Sequence, residues 1–360
     1  MDASEFLHHL LSLPDYSEQI VHIEHIPHQG AVFGELDNPL HPALKECLET
    51  LGISALYRHQ AEALNAILAA KNVIISTASA SGKSLCYQLA TLDTFLQDKN
   101  SRALYLFPTK ALAQDQLRSF KQIVGTAKDL DYLLHRATVS TFDGDTPQDE
   151  RANIRRQARV LLTNPDMLHL GILPNHPSWS RFLTNLKYVV IDETHIYRGV
   201  FGSHVANVMR RLRRLCAFYG SSPQFICCSA TIANPREHAQ NIVGLPFEAV
   251  TDDGSPHGEK YFTFWNPPVT DKAKTKRRSP NSESALLLGQ LVQKEIRSLV
   301  FVSTRRLAEL IYVYAREQLP HSLKDKISPY RAGYLPEDRR RIERQFFDGE
   351  LLGLVATTAL

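Results

Sequence analysis

From about residue 51 the chain alternates between short apolar runs and stretches with helical spacing. The runs are Val73–Ser76, Ala103–Phe107, Thr138–Phe142, Arg159–Thr163, Tyr188–Ile191 and Phe225–Cys228. They are continuous and rich in β-branched residues, without polar alternation. That is how strands buried on both faces of a parallel sheet read. Between them apolar positions recur every three to four residues. Ala63, Leu64, Ile67 and Leu68 follow Leu56-Tyr57-Arg58-His59-Gln60. Leu85, Leu89, Leu92 and Leu96 form a second stripe, and Val205, Val208, Met209, Leu212 and Leu215 a third. The pattern predicts an α/β fold, a parallel sheet flanked by helices.

The alternation breaks over 251–284. Asp252-Asp253-Gly254-Ser255-Pro256 and Asn266-Pro267-Pro268 are turn-rich. Lys272, Lys274, Lys276, Arg277 and Arg278 form a basic run with few apolar neighbours. A strand is expected over Lys260–Trp265 and an exposed linker over 269–282. The alternation then restarts: a helix over 284–297, a strand at Leu299–Ser303, a helix from Arg306, a strand near Lys326–Tyr330, a helix over 337–348 and a strand at Leu352–Thr357. The expected organisation is an arm over 1–50, a first lobe over 51–250, a connecting strand and basic linker over 251–284, and a partial second lobe over 285–360. Three strands bury a core poorly, so the second lobe is expected to be a fragment or to need help. The arm holds His8, His9, His22, His25, His28 and His41 at spacings that fit no common zinc pattern. It is read as a lead-in with one or two short helices.

Composition changes this picture little. With 360 residues, 43% apolar and 22% charged, two cores can form. Lys plus Arg number 41 against 38 Asp plus Glu, a net charge of +3, so any case for a polyanion partner must rest on local motifs. Arg210, Arg211, Arg213 and Arg214 read as the solvated side of the third helical stripe. The five cysteines, Cys47, Cys86, Cys216, Cys227 and Cys228, make no CxxC pair. Cys227 and Cys228 should face opposite sides of one strand. All five read as reduced core residues of a cytoplasmic protein. No apolar run approaches the roughly 18 residues of a membrane span, and the N-terminus has no basic region of a signal peptide.

The chemistry centres on residues 71–84. A buried strand runs into the small-residue loop Thr77-Ala78-Ser79-Ala80-Ser81-Gly82-Lys83, and a helix is expected to start at Ser84. Backbone N–H groups of such a loop, with the helix N-terminus behind them, can cradle phosphate oxygens. Lys83 can reach the outer phosphates and the Ser84 hydroxyl can ligate Mg²⁺. Thr77 stands where the strict phosphate-loop pattern has its first glycine. A second element supports the reading: Asp192-Glu193-Thr194-His195 ends another apolar strand. Carboxylates at the C-terminal end of a parallel strand lie where open α/β sheets bind ligands. Asp192 is placed to hold Mg²⁺ and Glu193 to deprotonate an attacking water. Gln60 can contact an adenine edge. Pro108-Thr109-Lys110, Asp143-Gly144-Asp145-Thr146, Thr163-Asn164-Pro165-Asp166-Met167 and Ser229-Ala230-Thr231 each end a strand. Together they set hydroxyls, free N–H groups and a lysine along one rim, suited to gripping a sugar–phosphate backbone.

In this order the motifs resemble those of superfamily 2 helicases of the DExH-box type, over about residues 51–360. Gln60 matches the upstream glutamine motif and Ala80, Ser81, Gly82, Lys83 and Ser84 match motif I. Pro108 to Leu112 match motif Ia, Thr163 to Met167 motif Ib, Asp192 to His195 motif II and Ser229 to Thr231 motif III. Phe301-Val302-Ser303-Thr304-Arg305 resembles motif IV and Tyr330 to Tyr334 the next helicase element. Ala356 to Leu360 resembles the start of motif V. Ile196 to His204, with Gly258-Glu259-Lys260 before Asn266-Pro267-Pro268, is similar to the MrfA/YprA-type bacterial DNA-repair helicases and their fungal RecQ4-like relatives.

The resemblance implies a complete first RecA-like lobe, a partial second one, and ATP-driven 3′–5′ translocation on single-stranded or forked DNA in repair. It implies ATP and Mg²⁺ as cofactors, no membrane partner, and coupling roles for His195, Ser229 and Thr231. Pro108, Thr109, Lys110, Gly144, Thr163, Asn164, Ser303, Thr304 and Arg305 become candidate backbone contacts. The rest of motif V, the arginine-bearing motif VI and the family's cysteine-bearing C-terminal domain do not follow within these 360 residues, so hydrolysis is expected to be impaired. Two alternatives stay open: a non-catalytic ATP- and nucleic-acid-binding fragment, and a DExH-type RNA helicase.

Overall fold

The computed structural model describes residues 1–126, 138–270 and 276–357. Lys272 and Lys274 of the expected linker, and Thr358 to Leu360 at the chain's end, lie outside them. The chain forms two compact units, Gln29–His257 and a second made of Met1–His28 with Gly258–Leu360. The expected arm is therefore divided: its first 28 residues belong with the C-terminal part of the chain, and the rest with the first lobe.

The early strands are β1 (Ile20–Ile26), β2 (Phe33–Gly34) and β3 (Leu56–Tyr57). The main sheet follows with β4 (Val73–Ser76), β5 (Arg102–Leu106), β6 (Thr138–Thr141), β7 (Ala158–Thr163), β8 (Leu186–Ile191), β9 (Gln224–Ser229) and β10 (Glu248–Val250). Its order is β10-β4-β9-β8-β5-β7-β6, and every pair is parallel. Alternate residues feed two cores on opposite faces. Val73, Ile75, Tyr105, Val190 and Cys228 enter one; Ile74, Leu104, Val189, Phe225 and Cys227 enter the other. This double burial is why the strands read as unbroken apolar runs. It also separates Cys227 from Cys228 as expected, and all five cysteines are buried and free.

Two details of this unit differ from expectation. Leu56–Tyr57 pairs with Phe33–Gly34 before the helix Arg58–Leu68 begins. Arg213 is not merely solvated, because its guanidinium donates to the Val243 and Gly244 carbonyls at 2.9 and 3.0 Å and closes the end of the helix Pro235–Val243.

In the other unit, β11 (Lys260–Trp265) pairs antiparallel with β1. Three further strands, β12 (Ser298–Phe301), β13 (Ile327–Tyr330) and β14 (Gly353–Ala356), form a parallel sheet in the order β12-β14-β13. The helices Pro280–Gln293 and Arg305–Gln318 supply one small core with Ile327 and Val355. Among the described residues no helix is long and apolar enough to cross a membrane.

Candidate nucleotide and nucleic-acid site

Strand order places the chemistry. β4, β9 and β8 are neighbours; β4 and β9 end level, Ser76 beside Ser229, and β8 ends two residues short of them, with Ile191 beside Cys227. The loops that leave these ends carry Thr77–Lys83, Ala230–Thr231 and Asp192–Glu193. Segments far apart in sequence therefore emerge side by side on the C-terminal edge of one sheet, where open α/β sheets bind ligands.

The loop after β4 is built from small residues because its backbone makes unusual turns. Gly82 has φ +81° and Ala80 φ +62°, the left-handed region that suits glycine. A Cβ on Gly82 would come within 2.4 Å of Gln60 Nε2 and would push that side chain off its bond to the loop, so the positive φ and the close approach both favour glycine. Gln60 is buried, and its amide donates to the Gly82 carbonyl at 3.1 Å while its carbonyl accepts the Tyr57 N–H at 2.9 Å. Thr77 and Ser81 hydroxyls bond each other at 2.7 Å. Lys83 Nζ donates to the Thr77 and Ala78 carbonyls, at 3.1 and 2.6 Å. A phosphate would compete with these carbonyls for its three N–H donors.

A cavity of about 550 Å³ opens beside this loop, lined by Gln60, Ala80, Ser81, Gly82, Ser84 and the aromatic pair Phe33 and Tyr57. The two rings stack with centroids 5.8 Å apart. Phe33 is half exposed, at 55%, so a flat ring is presented to the cavity. Neither aromatic stands out in the sequence, because their meeting depends on the short β2–β3 pairing.

Asp192 lies across the edge from Lys83. Its carboxylate accepts the Tyr87 hydroxyl at 3.2 Å and the Glu193 N–H at 2.9 Å. Burial, and then the adjacent Glu193 charge, push its pKa up to about 6. Asp192, Glu193 and the Ser84 hydroxyl, all half-buried, are hard oxygen donors of the kind that suits Mg²⁺. No group of three acidic, histidine or cysteine side chains among the described residues forms a cage for a metal ion. Glu193 itself has φ +50°, strain that a non-glycine residue bears at functional turns.

His195 ties the acidic pair to the neighbouring loop. Its Nδ1 lies 3.3 Å from the Ala230 N–H and 3.2 Å from the Glu193 carboxylate. One nitrogen cannot accept from the first and donate to the second at once. The proton on Nδ1 therefore decides which partner it serves. Ser76 Oγ donates to the Ala230 carbonyl at 3.1 Å and accepts the Ile232 N–H at 3.3 Å. Ser229 Oγ is buried with no hydrogen-bond partner among the described residues, and Thr231 is exposed.

The remaining rim residues divide. Pro108, Thr109, Lys110, Gly144, Thr163 and Asn164 all follow or end β5, β6 and β7, on the same edge. Thr109 and Asn164 spend their side chains on helix N-caps, accepting the Leu112 and Met167 N–H groups. Thr163 is buried and its hydroxyl donates to the Phe142 carbonyl at 2.5 Å, so its side chain is not presented as expected. Lys110 is exposed and pairs with Asp145 at 2.7 Å. Ser303, Thr304 and Arg305 lie in the other unit, where Thr304 caps the helix Arg305–Gln318.

Comparison with known proteins agrees with this geometry. The family model described as DEAD/DEAH box helicase matches residues 57–238. The chain is 43% identical, over 96% of its length, to the uncharacterized ATP-dependent helicase YprA of Bacillus subtilis, and covers 45% of that protein. It is 45% identical, over 99% of its length, to the ATP-dependent helicase HRQ1 of Saccharomyces cerevisiae, and covers 33% of it. The crystal structure of the DUF1998 helicase MrfA bound to DNA and AMPPNP superposes with a TM-score of 0.90 at 41% identity, over 100% of this chain and 49% of the other. The chain thus spans half or less of the length of these relatives.

Proposed function

The chain belongs to the DEAD/DEAH box helicase family, and from that premise we propose that it is the motor part of an ATP-dependent DNA helicase acting in DNA repair. The observation that carries the proposal is the β4-β9-β8 order, which sets Lys83 and Ser84, the Ser229–Thr231 segment and the Asp192–Glu193 pair along one sheet edge. Phe33 and Tyr57 would flank the base and Gln60 would bond its edge. Loop N–H groups and Lys83 would hold the phosphates. Ser84 and Asp192 would hold Mg²⁺, which supplies charge neutralisation at the phosphates. Glu193 would take the proton from the water whose oxygen bonds to the γ-phosphorus as the bond to ADP breaks. His195, between Glu193 and Ala230, would relay nucleotide state to the rim that holds the strand.

DNA is favoured over RNA by the MrfA complex, since backbone contacts alone do not separate the two. The test is ATP turnover by this chain with single-stranded DNA, with RNA and with neither, beside Glu193→Gln. Turnover stimulated by DNA and lost in Glu193→Gln supports the motor. ATP binding without turnover in every condition supports the non-catalytic fragment instead, and stimulation by RNA alone the RNA helicase.

A further inference from the structure

The turn-rich stretch Asp252-Asp253-Gly254-Ser255 has no part in the site described so far, yet it is bonded directly to the phosphate loop. Asp253 Oδ2 accepts the Ala78 N–H at 2.9 Å. Its other oxygen accepts the Ser255 N–H and hydroxyl at 2.9 and 2.7 Å. A second link runs through His59, which is fully buried. Its Nε2 donates to the Ser81 carbonyl at 3.0 Å, and its Nδ1 accepts the Gly254 N–H at 3.2 Å. That pair of roles fixes a neutral ring with its proton on Nε2.

The stretch is itself anchored. Arg58 pairs with Asp252 at 2.8 Å. Val32 donates to the Gly254 carbonyl at 2.9 Å, and Gln29 and His257 exchange backbone bonds. A Cβ on Gly254 would lie 2.5 Å from the Val32 oxygen and 2.8 Å from the Arg58 nitrogen, so only glycine permits this approach. Asp253 is the group that holds the Ala78 N–H at the exposed side of this loop. Ala78, Ser79 and Ala80 are exposed and small, and Ala80 is strained.

We propose that Asp253 and His59 are positioning residues for the phosphate loop, and that the 252–255 stretch is thereby coupled to nucleotide occupancy. The proposal rests on the reading of Thr77–Ser84 as the phosphate-binding loop. Ala78 is the pivot. Its carbonyl accepts Lys83 while its N–H is held by Asp253. When Lys83 turns to a phosphate it frees that carbonyl, and the Asp253 bond keeps the residue in place. Coupling of this kind is reciprocal: if the docked stretch favours nucleotide, nucleotide favours the docked stretch.

The experiment measures ADP affinity of the 360-residue chain and of Lys83→Ala, Asp253→Ala and Asp253→Asn, with hydrogen exchange over 251–257. Asp253→Ala is expected to raise the ADP Kd roughly tenfold, about 1.4 kcal/mol, the scale of one charge-assisted bond. Asp253→Asn, which keeps an acceptor for Ala78, is expected to recover most of that loss. In the unsubstituted chain, saturating ADP should slow exchange across 251–257, and Asp253→Ala should remove that slowing while ADP still protects residues 81–84. Asp253→Ala binding ADP like the parent, while Lys83→Ala does not, overturns the positioning role alone. Lys83→Ala binding like the parent overturns the phosphate-loop reading beneath it. Should Asp253→Ala fail to fold, exchange over 251–257 that ADP leaves unchanged in the parent chain overturns the coupling.

Discussion

At the scale of single residues, the site is held in place by groups that have given up easier conformations. Ala80 and Glu193 both sit at positive φ, where an L-residue pays about 1–2 kcal/mol. His59 bears a different cost. Burial lowers its pKa, with the Lys83 charge acting the same way, and this outweighs the opposing pull of Asp253 and of the Ser81 carbonyl. The folded protein therefore binds this proton less readily than the unfolded chain. Stability from the neutral ring is complete above the ordinary histidine pKa of about 6.5 and is lost as pH falls from there toward the lowered folded value. Asp192, whose raised pKa favours the fold as pH falls through about 6, acts the opposite way in both proteins, so the expected signature is the difference: between pH 7.5 and 5.5 the urea midpoint of the Gln29–His257 unit should change less favourably in the parent chain than in His59→Gln. Equal changes in the two proteins would place the acid sensitivity elsewhere.

At the scale of elements, legibility followed burial. The six strands from β4 to β9 lie within two residues of the expected runs; five of them are buried in the sheet, where a strand covered on both faces has no polar alternative, whereas β6, half-buried at the edge, was marked by its β-branched residues. β10 escaped because three residues at an edge carry too little pattern. β1 escaped because it is exposed along almost its whole length, so no buried face marked it, and its partner, β11, lies far along the chain. The site divides the same way. Lys83, Ser84, Asp192 and Glu193 are legible as candidates by residue type at strand ends, whereas the proposed parts of Phe33, His59 and Asp253 rest on tertiary approaches that leave no local mark. Side-chain accounting also redirects the rim, since Thr109 and Asn164 are caps and Thr163 is interior. Lys110 keeps an exposed charge, and Asp145 neutralises it at 2.7 Å. An exposed pair of this kind adds little to stability, but it competes with a phosphate for the same lysine. Asp145→Asn should leave the urea midpoint nearly unchanged and tighten single-stranded DNA binding a few-fold at low salt. Lys110→Ala should weaken binding and reduce the salt slope by about one. Unaltered DNA affinity in both variants would remove this lysine from the interface.

At the scale of the whole chain, the two units are built to different standards. The Gln29–His257 unit has a seven-stranded sheet with a core on each face. The other unit rests on three short parallel strands and two small clusters, and leaves Leu299, Phe301 and Phe347 exposed. Buried apolar area is the main favourable term in folding, so the second unit should be the less stable. Every residue assigned to nucleotide lies in the first. Ligand stabilises only the unit that binds it, by about 2.7 kcal/mol at a hundredfold excess over Kd. Calorimetry should therefore show two transitions, the lower one indifferent to ADP and the upper one moved up by it. A Lys83→Ala chain should keep both transitions and lose the shift. A single transition that ADP moves as a whole would mean that the two units fold as one cooperative block, and that the small sheet draws its stability from the large one.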